Sequence, residues 1–156
     1  MAIHPNFPLS PHEILTPDVR WFPADESLRE SSAYKLMPPL VSKIREEVHK
    51  FRASNYEGAS QTSKSLLKWW FKTEHPVAQS NPEIYFKYFF SQREAIEALI
   101  YLHDVAKVDN QQQLVQYDSS GRLSSQHFIE SWKRYVLKLA TGAGKTKVLS
   151  LALVWS

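Results

Sequence analysis

Cysteine is missing from this 156-residue chain. Its absence excludes disulfides and thiolate metal sites and suits a reducing, cytoplasmic setting. Glycine is almost as scarce, with four residues, two of them clustered at Gly142 and Gly144. The six histidines (His4, His12, His49, His75, His103 and His127) include no pair at metal-ligand spacing, so a metalloenzyme is not expected. Long apolar runs are lacking too. The longest, Val148 to Trp155, is interrupted by Ser150 and falls far short of the ~20 residues a membrane-spanning helix needs. The opening MAIHPNFPLSPHE has neither the basic start nor the apolar stretch of a signal peptide. A soluble cytoplasmic protein without a membrane partner is expected. Neither charge sign dominates. The net charge of +3 and pI near 9.1 read as solvated lysines on helix faces rather than as a nucleic-acid surface.

A hydrophobic content of 43% is enough to build a core. Five of the nine prolines fall in the first 23 residues (Pro5, Pro8, Pro11, Pro17 and Pro23). Each fixes its own φ and pushes its predecessor out of the helical region, so residues 1–35 read as an extended arm, docked by Trp21 and Phe22. Residues 36–79 read as a helical hairpin. Leu40, Ile44, Val48 and Phe51 recur at helical spacing, Asn55-Tyr56-Glu57-Gly58 breaks the run, and a second helix follows from about Ser60 to Thr73. Its Trp69-Trp70-Phe71 cluster reads as core or helix-packing aromatics, with a ligand platform as the alternative.

Residues 80–156 form the third unit. Ser80-Asn81-Pro82-Glu83 and Ser91-Gln92-Arg93-Glu94 are helix-start signals, the latter of capping-box form. Ala95, Ile96, Leu99, Ile100 and His103 then line the apolar side of a helix reaching about Val105, with His103 at the edge of the core. Residues 107–126 are polar and read as a loop or weak hairpin. Tyr135 to Ala140 reads as a short buried parallel strand, and Lys145 to Ser156 as a helix apolar nearly all round, needing a sheet to cover it.

Between that strand and helix stands Leu139-Ala140-Thr141-Gly142-Ala143-Gly144-Lys145-Thr146. A triphosphate needs several donors converging on crowded oxygens and a cation to offset its charge. Inward backbone amides from Gly142 through Thr146, at the positive end of a helix dipole, supply the first. Gly142 and Gly144 allow positive φ. The expected roles are Lys145 on the β- and γ-phosphates and the Thr146 hydroxyl on magnesium, with Thr141 and Ala143 completing the loop. The full phosphate-loop pattern has glycine, or alanine in its helicase form, where this chain has Leu139.

LATGAGKT resembles motif I of superfamily two (DEAD/DEAH-box-type) helicases and translocases, especially the restriction-type branch. Upstream, Phe89-Phe90-Ser91-Gln92-Arg93-Glu94-Ala95-Ile96 resembles that superfamily's Q motif. The resemblance implies that Gln92 reads the adenine edge and that Phe89 or Phe90 stacks near the base, although Ser91 stands where an aromatic often precedes the glutamine. The segments from Met37-Pro38-Pro39 to Trp69-Trp70-Phe71 look like the helical N-terminal region of the Res subunit of type III restriction enzymes. The implied cofactors are ATP and Mg2+. The implied partners are DNA, through a parent protein, and a modification methyltransferase subunit.

The implied fold is mainly α here, a helical region followed by the start of a RecA-like α/β phosphate-loop domain comprising Q motif, first strand, loop and first helix. Ten residues follow Thr146, and no Asp-Glu magnesium motif is among them. The Pro-Asp…Glu-x-Lys nuclease signature is also absent, and Glu46-Glu47 reads as a solvated face. The expectation is therefore an N-terminal fragment of an ATP-dependent DNA helicase that carries part of an ATP site but does not hydrolyse. Two alternatives stand beside it: a standalone helical binding module with a vestigial loop, and another phosphate-loop family such as a small kinase or transport ATPase.

Overall fold

The computed structural model describes residues 40–77, 85–127 and 135–156. The proline-rich arm, Met37-Pro38-Pro39 and the Ser80–Glu83 helix start lie outside these residues. The described part is mostly helical. Its elements are α1 (Val41–Ala53), α2 (Gln61–Lys72), two-residue strands β1 (His75–Pro76) and β2 (Tyr85–Phe86), α3 (Phe90–Ile100) and α4 (Lys145–Trp155). A single π-helical turn, Tyr101–Val105, continues α3, and 3-10 segments cover Gln111–Tyr117 and Ser125–His127.

The helix–break–helix path expected of residues 36–79 is present as α1 and α2, each packed on α3. Its reversal needs two successive non-glycine residues in the left-handed region, Asn55 at φ 59° and Tyr56 at φ 65°. Gly58, at φ 85°, closes it, where a β-carbon would press on the Val105 methyls at 3.2 Å. Helix α2 then starts on Ser60, whose hydroxyl accepts from the Ser63 amide at 3.1 Å.

Helix α3 is the central element, packing against α1, α2 and α4. Ile96 and Ile100 are fully buried on it, among Phe51, Tyr56, Leu67, Trp70 and Leu151. A second core gathers Leu102, Val108, Leu114 and Tyr117. Residues 107–126 are thus neither a bare loop nor a hairpin. Asn110 caps a 3-10 segment through a 3.1 Å bond from the Gln113 amide, and Leu114 and Tyr117 turn inward from it.

Three expectations are corrected. The α3 start lies two residues earlier than Ser91, with Phe89 as the cap. Gln92, at the third helical position, reaches back to accept from the Phe89 amide at 3.0 Å, the half of a capping box that does not depend on a polar cap residue. Residues 135–140 are not a strand, because no described segment pairs with them. Helix α4 is covered by helices instead of a sheet. Val148 and Leu151 face inward and Trp155 Nε1 donates to Ser63 Oγ at 2.8 Å, while Leu149, Leu153 and Val154 are exposed. No helix among the described residues is long and apolar enough to cross a membrane.

Candidate functional site

The loop at 140–146 is a tight turn feeding α4. The Ala143 amide donates to the Ala140 carbonyl at 3.2 Å, and Lys145 Nζ lies back across the turn to the same carbonyl at 3.2 Å. Gly142 and Gly144 sit at φ 82° and 73°, in the left-handed region that side chains resist. With the chain turned this way, the amides of Gly142, Gly144, Lys145 and Thr146 find no backbone acceptor among the described residues. They stand at the N-terminus of an 11-residue helix, where partial positive charge collects. Thr141, Gly142, Lys145 and Thr146 are exposed, and Ala143 and Gly144 are half-buried.

Gln92 belongs to this loop in space. It is buried, and its Nε2 donates to the Ala143 carbonyl at 3.1 Å and lies 3.4 Å from the Gly144 carbonyl. A β-carbon on Gly144 would collide with that same Nε2. The two sequence motifs therefore meet: the backbone at position 144 favours glycine, and any larger residue there would displace the Gln92 amide. The Nε2 group is engaged by the loop, so adenine recognition through Gln92 requires it to release those carbonyls. Of the two candidate stacking rings, Phe90 is covered by the Arg52 guanidinium, 5.1 Å from its centroid, and Phe89 is exposed.

The donor set fits a triphosphate: amides without a backbone acceptor among the described residues, a helix N-terminus and a lysine within reach of the same turn. For magnesium the fit is narrower. Thr146 offers a hydroxyl, and no cluster of three or more His, Cys, Asp or Glu residues able to hold a metal occurs among the described residues. A cation here would be held largely by the nucleotide's own oxygens.

The chain matches no protein-family model, no curated protein and no solved structure.

Sequence reading missed the acids that hold this site to the hairpin. Glu97 is 0% exposed on the apolar side of α3. Its carboxylate accepts from Arg52 Nε, Arg93 Nε and the Tyr56 hydroxyl at 2.8, 2.8 and 2.7 Å, and Arg93 also donates to Tyr56 Oη at 2.9 Å. Burial and the neighbouring Glu97 charge raise the Tyr56 pKa, keeping its hydroxyl a donor. Glu94 pairs with Arg45 at 2.9 Å. Asp104 reaches the Ser60 amide at 2.9 Å and His103 Nδ1 at 3.0 Å. Burial opposes its ionisation, yet hydrogen bonds from Ser63, His103 and Ser60 outweigh this and hold its carboxyl below the usual range. The i,i+4 spacing of Arg93 and Glu97 was the available signal, since a charge inside an apolar stripe demands a partner. His103 is exposed rather than at the core edge, its ring 5.1 Å from Trp155.

Proposed function

We propose that this chain carries the adenine-nucleotide triphosphate site of a superfamily two helicase or translocase of the restriction-enzyme type. The reading rests chiefly on the hydrogen bond from Gln92 to the Ala143 carbonyl, which joins the two resembling motifs across 51 residues. The left-handed glycines, and loop amides that find no backbone acceptor among the described residues, support it independently. In this reading the amides of 142–146 and Lys145 hold the β- and γ-phosphates, and Thr146 completes the magnesium shell. Gln92 sets the loop's shape and, on release, meets the adenine edge. DNA and a methyltransferase subunit are the partners the resemblance proposes, and the cytoplasm the setting. Phosphoryl transfer depends on a positioned metal and charge-stabilising groups. In this reading Lys145, whose Nζ lies against the loop, is the charge-stabilising group at hand.

Titration of the full chain with ATP and Mg2+ by calorimetry tests this. Binding is expected, with Lys145→Ala weakening it by at least about tenfold, the scale of one charge-assisted contact. No binding by the unmutated chain overturns the proposal.

A helical binding module is the second reading, favoured by the Glu97–Tyr56–Arg52–Arg93 network, which lies wholly within residues 40–105. Cooperative melting of that segment alone, with no nucleotide affinity in the full chain, would select it.

A further inference from the structure

The Trp69-Trp70-Phe71 cluster divides in the structure. Trp70 is 2% exposed and belongs to the core, whereas Trp69 is 56% exposed. The exposed ring is held in place. His75 Nε2 lies 2.8 Å from the Trp69 carbonyl, and the two rings meet edge to face at 4.9 Å. His75 pairs across β1–β2 with Phe86, so both side chains stand on one face of that pair. Phe86 meets Tyr88 at 4.9 Å, and Tyr88 meets Phe71 at 5.2 Å. A row of rings leads from Trp69 to Phe71, and Trp69 and Phe86, separated by His75, are its exposed members. Two cations lie against it. Arg93 sits 5.2 Å from the Phe71 centroid while bonded to Glu97, and Lys147 places Nζ 5.2 Å from the Phe86 centroid.

The chain itself contains a segment suited to such a row. Pro5, Pro8 and Pro11 recur at every third residue of the arm, outside the described residues. A polyproline II helix turns about every three residues and rises ~3.1 Å per residue, which sets those rings on one face about 9 Å apart. That step suits Trp69 and Phe86, one side chain apart across His75, since cross-strand neighbours stand about 5 Å from each other. Proline rings pack on aromatic faces, and their φ is fixed before docking, so little ordering entropy is lost. Trp69 also brings an indole N–H, and a polyproline II helix leaves its carbonyls without internal partners. Charge agrees with this pairing. Residues 5–18 carry Glu13 and Asp18 and no lysine or arginine, whereas the row carries Lys147 beside Phe86. The 28 residues between Pro11 and Leu40 can span up to about 90 Å, so the tether does not restrict docking. Tethering gives an effective concentration on the order of millimolar, which fills a weak site that a separate partner would leave empty.

We propose that residues 5–11 dock as a polyproline II segment on the ring row of the same chain, with successive prolines on Trp69 and Phe86 and the acids that follow turned toward Lys147. The contact goes beyond the triphosphate site and stands whether or not ATP binds. Photocrosslinking of the full chain tests it, with Ser10→p-benzoylphenylalanine as the probe and mass spectrometry locating the product. Crosslinks are expected within single chains, to residues 69–75 and 85–88. Trp69→Ala, and separately the triple change Pro5→Ala, Pro8→Ala, Pro11→Ala, should each lower their yield about fivefold, the scale of one lost ring contact, with helical circular dichroism unchanged. Crosslinks that reach the same residues but join two chains would overturn docking within the chain and make the row an interface between copies. Crosslinks elsewhere, none at all, or an undiminished yield in either variant would overturn the proposal outright.

Discussion

The side-chain amide of Gln92 bonds the carbonyl of Ala143 at 3.1 Å, so the first turn of α3 and the loop before α4 form one unit. Gly144 is the next residue along that contact, and its lack of a side chain is what lets Gln92 approach.

Replacing the two loop glycines should therefore have unequal effects. Gly142→Ala meets nothing within 4 Å and costs only the left-handed backbone strain, about 1–2 kcal/mol. Gly144→Ala carries a similar strain and also displaces Gln92 from both loop carbonyls, so its cost is larger. Urea denaturation of both variants checks the order, and equal losses would refute the Gln92 contribution.

Tyr56→Phe should destabilise the fold by about 1.5–3 kcal/mol, the range for a hydrogen bond to a buried charged group. The lost hydroxyl serves Glu97 and Arg93 together, and Glu97 is sealed from solvent that could replace it. Chemical denaturation measures the loss, and a double-mutant cycle with Arg93→Met separates the shared part.

Acid should loosen the junction between α2 and the π-helical turn. The folded pKa of Asp104 is depressed below the ~3.9 of an unfolded aspartate. Its stabilisation is accordingly complete above the unfolded value and disappears as pH falls through the folded one. Asp104→Asn should be less stable than the unmutated chain at neutral pH and show a shallower decline in stability below about pH 4. Denaturation curves at several acidic pH values decide this.

Two leucines on α4 give a test of its docking. Leu151 is 4% exposed and Leu153 76%. Leu151→Ala should cost about 2–4 kcal/mol, and Leu153→Ala less than about 0.5. Amide exchange across residues 145–155 should accelerate in the first variant alone.

The hairpin, the break at 55–58 and the helices from 90 and 145 were legible because periodicity and turn residues agree there. The contact of Gln92 with the loop was not legible: the resemblance gave Gln92 the adenine edge, and nothing local in either segment encodes a partner 51 residues away. Tyr135–Ala140 misled for a physical reason. An apolar run has strand-like composition, but a strand exists only when another pairs with it. Glu97 offered only its i,i+4 spacing to Arg93, and Asp104, between His103 and Val105, offered no signal until its partners were placed. Trp69 and Trp70, adjacent and identical, take opposite environments because successive helical positions point about 100° apart.

Helix α3 ends its influence far from where it begins. Its first turn holds the loop through Gln92, its middle holds α1 through Glu97, and its π-helical extension holds α2 through Asp104. The loop, α1 and the start of α2 are thus anchored at three successive points of one continuous helical segment, so a break within it would loosen all three together.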